Sequence, residues 1–178
     1  MSLPPDNLLE LLPYELTRRK IELMTYNDAR KLTQRAFIKP PDFKSFQAKV
    51  YDVGTLPEDS ELGPQNVIVS EVVEWEVEFR CFVREGDVID VSAYARYGKL
   101  NVLNDTAWNA TAEETTAAIK LAREVLNQTK LPPAALDVGL ISGRGWAVVE
   151  ANAAWASGLY GCDPRKILPV IQSTCQKL

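Results

Sequence analysis

The apolar positions of this chain follow two spacings. Between residues 5 and 24, Leu8, Leu9, Leu11, Leu12, Leu16, Ile21 and Leu23 recur at roughly helical intervals. Asp6 stands where an N-cap belongs and Pro13 marks a break or a second start, so the segment reads as helical. Arg18-Arg19-Lys20 reads as a surface run. From residue 36 the spacing shortens to that of strands. Residues 36–39 (AFIK) stop at Pro40-Pro41, because proline donates no ladder hydrogen bond, and residues 46–52 follow as a second strand. Residues 53–66 are turn-rich and acidic and read as a loop. Residues 67–70, 77–83 and 88–95 are strands, the last two forming a hairpin around Glu85-Gly86-Asp87 with a loop of about three residues.

Thr111-Ala112-Glu113-Glu114 has the form of a capping box and opens a helix to about residue 128, with Ala118, Leu121, Ala122 and Val125 on one face. Leu131-Pro132-Pro133 stops it. Residues 136–141, a Gly143-Arg144-Gly145 turn and residues 146–149 make a last antiparallel hairpin, and Asp163 before Pro164 starts a terminal helix. Strands with helices set apart from them predict an α+β fold with antiparallel sheets rather than a doubly wound one.

Composition narrows the chemistry. The chain has 178 residues, enough to bury a core without metal or disulfide staples. Its 20 basic and 24 acidic residues argue against a protein that coats nucleic acid. It contains no histidine, which removes Ser–His and Cys–His catalysis, histidine metal sites and imidazole proton shuttles. Cys81, Cys162 and Cys175 are odd in number and lack CxxC spacing. With no run of 18 uncharged apolar residues and no basic-then-apolar start, a cytoplasmic protein with reduced thiols and no membrane partner is expected.

Three places carry polar groups that a purely structural strand does not need. Lys39 ends an apolar strand, a point charge on a flexible stem held by a rigid element and suited to phosphate oxygens, although a lysine at a strand end also marks an ordinary surface. Glu76, Glu78 and Arg80 share one strand face. A solvated ion-pair face accounts for them and is favoured on the pattern alone; a polar cleft is the other reading. In the last hairpin Asp137 and Glu150 are cross-strand neighbours and Asn152 shares the face of Glu150. Two carboxylates and an amide at one sheet edge are what a hard divalent cation takes, and magnesium completes its shell with water and phosphate oxygens.

The ordered set resembles the ATP-grasp superfamily: a strand ending in Lys-Pro (Phe37-Ile38-Lys39-Pro40), an acid-rich hinge (Glu71 to Glu78), and a closing hairpin of the form Asp…Glu-x-Asn (Asp137…Glu150-x-Asn152). It covers residues 30–170 and is most similar to the clade named for two arginines and a lysine, for which Arg80, Arg96 and Lys39 are the candidates. The resemblance implies two α+β subdomains with the nucleotide site between them: a helical segment over 1–30, a small subdomain over 31–70 and a large one over 71–178. It implies that Lys39 contacts the phosphates, with Lys44 or Ser45 standing in for a glycine-rich loop, since no glycine precedes Gly54 after the Lys-Pro strand. Glu71 and the backbone of Val72 and Val73 meet the adenine edge, Glu78 takes the ribose hydroxyls, Arg80 and Arg96 face the polyphosphate, and Asp137, Glu150 and Asn152 hold Mg²⁺. The activity implied is an ATP- and Mg²⁺-dependent, ADP-forming ligase joining a small-molecule or peptide carboxylate to an amine or thiol through an acyl-phosphate. Such enzymes carry a further N-terminal domain, so a preceding domain or partner chain is expected. The alternative is an ATP-binding sensor or interaction module without turnover.

Overall fold

Two antiparallel sheets face each other across a cleft. The computed structural model describes residues 2–5, 7–40, 45–100 and 110–175. The small sheet contains β1 (Ile21–Thr25), β2 (Ala36–Lys39), β3 (Lys49–Tyr51) and β4 (Asn66–Ser70) in the order β1-β4-β2-β3. The large sheet contains β5 (Trp75–Arg84), β6 (Asp87–Arg96), β7 (Lys99–Leu100), β8 (Ala134–Ile141) and β9 (Gly145–Ala153) in the order β7-β6-β5-β8-β9. Residues 71–74 connect β4 to β5 and so join an inner strand of one sheet to the central strand of the other.

Alternation decides the two faces of the large sheet. Val77, Phe79, Cys81 and Val83 of β5 turn to a core that also holds Leu136 and Val138 of β8 and Val148 of β9. Helix α4 (Ala112–Gln128) covers it with Ala118, Leu121, Ala122 and Val125. Each such large side chain removed from water contributes about 1.5–3 kcal/mol. The predicted capping box is present, with Thr111 Oγ1 accepting from the Glu114 amide and the Glu114 carboxylate accepting from the Thr111 amide. On the other face, α5 (Pro164–Ser173) packs Ile167 and Val170 against Phe82 and Ala135 and covers only one end. The rest of that face carries polar side chains and looks toward the small sheet.

The N-terminal reading needs correction. Residues 5–24 are not one helix but two single turns, α1 (Leu8–Leu11) and α2 (Tyr14–Thr17), separated by Pro13, and then β1. Proline cannot extend the first turn, and Arg18 adopts a left-handed conformation (φ 47°) that ends the second. Ile21 and Leu23 suit a strand as well as a helix, and β1 wins because it satisfies the backbone edge of β4, pairing Ile21 with Ser70 and Leu23 with Ile68. Residues 1–30 therefore divide: α1 and α2 put Leu8, Leu9, Leu12 and Leu16 into the large sheet's core, while β1 belongs to the small sheet and the single turn α3 (Tyr26–Ala29) buries Tyr26 and Ala29 in that sheet's own core. Asp6 lies outside the described residues.

Smaller differences have local causes. The strand predicted over 46–52 is only Lys49–Tyr51, because Phe46 leaves the ladder and packs edge-on against Tyr26 at 5.3 Å between centroids. The β5–β6 turn has two residues rather than three, Glu85 and Gly86, both at positive φ (54° and 83°), the arrangement a twisted hairpin favours. Among the described residues, no disulfide forms, and no helix is long and apolar enough to cross a membrane.

Candidate functional site

The open end of the large sheet's polar face and the edge of β2 and β4 enclose a cavity of about 360 Å³, within the range of about 300–1,000 Å³ usual for ligand pockets. Phe37, Val50 and Ile68 wall it on one side, Trp75, Glu78 and Tyr94 on the other, and the 71–73 connection closes its back. Among the described residues, the peptide groups of Val72 and Val73 take no backbone hydrogen bond. An amide edge left free beside apolar walls is what a flat heterocycle can use.

The Glu71 side chain does not supply that edge. Arg144, in the β8–β9 turn, donates to both its oxygens, and the Lys20 amide donates to Oε2 at 3.3 Å. The Arg144 guanidinium holds the Glu71 carboxyl well below the usual carboxylate range, at about 2, against a small opposing effect of burial. Glu71 thus anchors the connection to the large sheet; its own amide donates to the Lys20 carbonyl at 2.9 Å and its carbonyl accepts from Ser70 Oγ at 3.2 Å, so the open peptide edge is that of Val72 and Val73.

Lys39 spans the cleft. The β2 strand ends there because Pro40 follows, and pairing of Lys39 with Ile68 sets the residue at the cavity's mouth. Its Nζ donates to Glu150 Oε2 of β9 at 2.6 Å, and Asn152 Nδ2 donates to Glu150 Oε1 at 2.8 Å. Burial works against the Glu150 charge, but Lys39 and Asn152 more than offset it, so its pKa falls below the ordinary value.

Glu150 reaches this face through a bulge. Val138 pairs with Val148 in the core, so regular alternation would send Glu150 into the core as well. The register instead skips Val149 and pairs Asp137 with Glu150, which reverses the phase of β9 and brings Glu150 to the cleft face beside Asp137. A second bulge, at Tyr94 of β6, stands beside Glu78, and the Tyr94 hydroxyl donates to Glu78 at 2.9 Å. Burial, then the charge of Glu150, raises the Glu78 pKa.

Asp137 is fully buried and gripped at two points by Arg80, Nε to Oδ1 at 2.9 Å and Nη2 to Oδ2 at 2.7 Å. Burial pushes the Asp137 carboxyl up, to about 7, against the pull of Arg80, while Asp137 raises the Arg80 pKa although burial opposes it. The Arg80 guanidinium also lies over the rings of Tyr94 (5.5 Å) and Tyr160 (4.9 Å) and donates from Nη1 to the Gly158 carbonyl at 3.0 Å.

Arg19 is the residue that sequence reading missed. Taken for part of a surface run, it is 5% exposed. It donates to Ser70 Oγ of β4 at 3.0 Å and to the carbonyls of Val148 (2.6 Å) and Val149 (3.0 Å) of β9, and lies 5.1 Å over the Trp75 ring. Burial lowers its pKa to about 10, with Glu150, Glu78 and Glu71 opposing. It therefore ties the two sheets together at the back of the cavity. Arg96 does not join it: its guanidinium makes a two-point pair with Glu114 of α4 (2.9 and 2.6 Å), and it lines neither this cavity nor its neighbour. Its position at the end of β6 brings it to the N-terminus of α4, apart from the residues that line the cleft. Lys44 lies outside the described residues. Lys39, Glu71, Val72, Val73, Glu78, Arg80, Glu150 and Asn152 line the cleft, with Asp137 directly behind Arg80.

For a cation, the donors at the cleft are of the hard oxygen type: Glu150, and Asn152 Oδ1, which accepts no hydrogen bond among the described residues. Asp137 is adjacent, but Arg80 takes both its oxygens. Among the described residues, no three acidic or cysteine side chains already converge as a metal cluster.

A family model for the ATP-grasp domain, family 2 of the clade named for two arginines and a lysine, matches residues 16–170. No curated protein matches the chain in sequence. Among solved structures the fold is similar to that of D-alanine–D-alanine ligase from Bacillus anthracis, with a TM-score of 0.58 and 16% identity over 96% of this chain and 66% of that one. It is also similar to the ATP-grasp ligase PsnB complexed with a minimal precursor (TM-score 0.56, 14% identity, 90% of this chain and 56% of that one). A third is the macrocyclase MdnC bound with precursor peptide MdnA from Microcystis aeruginosa (0.52, 12%, 97% and 61%). The chain spans between about half and two thirds of the length of these proteins.

Proposed function

The chain belongs to the ATP-grasp clade named for two arginines and a lysine, and from that premise we propose that it is the nucleotide-binding core of an ADP-forming, ATP- and Mg²⁺-dependent ligase that joins a carboxylate to an amine or thiol. The acid is a small-molecule or peptide carboxylate, and a further domain or partner chain completes recognition of the second substrate. The observation that carries this reading is the contact of Lys39 with Glu150 across the cleft, at the mouth of an apolar cavity backed by the Val72 and Val73 peptide groups, which take no backbone hydrogen bond among the described residues.

In this reading adenine lies between Phe37, Val50 and Ile68 and the Trp75 side, with its edge on the 72–73 backbone. Glu78, kept from solvent and held by Tyr94, accepts from the ribose hydroxyls. Lys39 leaves Glu150 for the phosphates, and Arg80 offers N–H groups on the far side of Glu150. Glu150 and Asn152 would hold Mg²⁺, which would neutralise phosphate charge, and Asp137 would join them on release of an oxygen by Arg80. A carboxylate oxygen then attacks the γ-phosphorus and ADP leaves; an amine or thiol attacks the acyl carbon, loses its proton, and phosphate leaves. Positioning and charge stabilisation are the protein's contribution, which agrees with a site lacking histidine.

The cations Lys39 and Arg80 are each closed onto an acid here. That closure favours, as second reading, a module that binds nucleotide without turnover. ADP release that requires both an added carboxylate and an amine or thiol, measured on the full-length protein, supports the ligase; nucleotide binding with no such release across broad acceptor pools leaves the module. Failure of ATP with Mg²⁺ to bind at all removes both.

A further inference from the structure

Past Lys39 and Glu150 the first cavity continues into a second, of about 620 Å³, which shares Leu9, Lys39, Ile68 and Glu150 with it. Apart from Ile68 at the shared mouth, none of the residues assigned above to adenine or ribose line this second space, while Arg80 and Asn152 do. Its outer wall carries exposed apolar side chains. Trp155 is 47% exposed and Tyr160 is 43% exposed, and Leu3, Pro4 and Pro5 face them across the opening. The Ser2 amide donates to the Thr174 carbonyl at 2.9 Å, which fastens that N-terminal wall to the end of α5.

Tyr160 is held in place at a cost. Its φ of 50° is left-handed, a conformation that a bulky side chain adopts only where its surroundings impose it. What imposes it is visible: the ring stacks on Tyr94 with centroids 4.9 Å apart and planes 15° apart, and the Arg80 guanidinium lies over it at 4.9 Å. One ring face is thereby fixed on the site's buried arginine while the residue stays open to the cavity.

We propose that this second cavity seats the acid substrate of the reaction, and that the acid carries an apolar or aromatic side chain, with Trp155 and Tyr160 selecting it. The proposal rests on the ligase reading above and names its substrate class. Charge decides that the occupant is an acid. Arg80 uses three of its five N–H donors, which leaves two for a carboxylate. The one carboxylate lining the space among the described residues is Glu150, bonded to Lys39 and Asn152 here and assigned to Mg²⁺ in the loaded site, so an ammonium group would find no free anion among them. The wall decides the rest. An acidic side chain would meet Trp155, Tyr160 and the Leu3-Pro4-Pro5 wall with no free cation, and a basic one with no free carboxylate, among the described residues, and either would lose hydration.

The test is calorimetric titration of the full-length protein, loaded with Mg²⁺ and a non-hydrolysable ATP analogue, with N-acetyl-phenylalanine and N-acetyl-aspartate. N-acetyl-phenylalanine is expected to bind at least about tenfold more tightly. Trp155→Ala should abolish that preference, Trp155→Phe should keep most of it, and neither should alter affinity for the ATP analogue. Trp155 is half exposed, so both variants fold. If the analogue binds but the two acids bind equally, or neither binds, the proposal is overturned while the nucleotide site stands. If the analogue itself fails to bind, the ligase reading falls and takes this proposal with it.

Discussion

Arg80 and Asp137 stand directly opposite each other on β5 and β8 and form a two-point ion pair of 2.9 and 2.7 Å in which the acid is wholly removed from solvent. Neither partner can be removed alone without leaving a charge in the interior. Asp137→Leu and Arg80→Met are each expected to cost about 3–5 kcal/mol of stability, whereas the double variant carrying both should cost far less than the sum. Urea denaturation of the four proteins completes the cycle. Additive losses would mean that the pair does not act as a unit. All three variants should lose the γ-phosphate and acid-binding function proposed for this end of the cleft.

Gly139 is a glycine for a packing reason. A Cβ there would lie 2.8 Å from the Trp75 ring and 2.8 Å from the Val77 carbonyl. Trp75 cannot shift freely, because its ring carries the Arg19 guanidinium. Gly139→Ala should therefore cost about 1–3 kcal/mol, as overpacking does, and should weaken ATP binding by moving the Trp75 side wall of the cavity. Gly158→Ala is the matched control: the added carbon meets nothing closer than 3.6 Å, and stability should hardly change. Equal effects at the two positions would show that the Trp75 contact does not govern the site.

Much of the fold could be read from spacing, because alternation in β5 and β6, the Thr111 capping box and the Asp163-Pro164 start are local signals that tertiary packing left in place. Most of the site residues named from the sequence line the cleft, but their geometry could not be read from it. Counting back from the 142–144 turn pairs Asp137 with Val149; only the bulge at Val149 brings Glu150 opposite it. A bulge has no local signature, since its cause is the core on one side demanding Val148 while the cleft demands Glu150. Arg19 was unreadable for a related reason. Its partners are carbonyls on β9, about 130 residues away in sequence, one of them exposed by that same bulge. Arg96 illustrates the converse, where the sequence supplies a cation of the right type and α4 takes it.

The Glu71–Arg144 pair gives the hinge an acid limit. Because Arg144 depresses the folded pKa of Glu71 to about 2, below the ordinary value of about 4.3, its stabilising contribution is complete above that ordinary value. It is lost as pH falls from there through about 2. The carboxylate is 40% exposed, so solvent screening keeps the effect modest. Glu71→Gln should lower stability modestly and evenly above about pH 4.5 and flatten the curve between about pH 4.5 and pH 2, so that the two proteins converge in acid. Unfolding free energies of both proteins across that window are the measurement; parallel curves would mean that the pair does not report on folding.

The cleft assignments can be separated by nucleotide-dependent melting. ATP with Mg²⁺ at about a hundred times its Kd stabilises the folded state by about 2.7 kcal/mol, which for a chain of this size raises Tm by about 5–10 °C. Lys39→Ala should remove most of that rise, since Lys39 is the cation at the cavity's mouth, and Glu150→Ala should do the same by loss of the cation site. Arg19→Ala should reduce it while also lowering the Tm of the free protein, because Arg19 joins the two sheets through Ser70, Val148 and Val149. Arg96→Ala should leave the rise intact, because its guanidinium pairs with Glu114 on α4. A loss of the rise in Arg96→Ala as complete as in Lys39→Ala would move the phosphates toward the N-terminus of α4 and break the link between Lys39, Glu150 and the nucleotide.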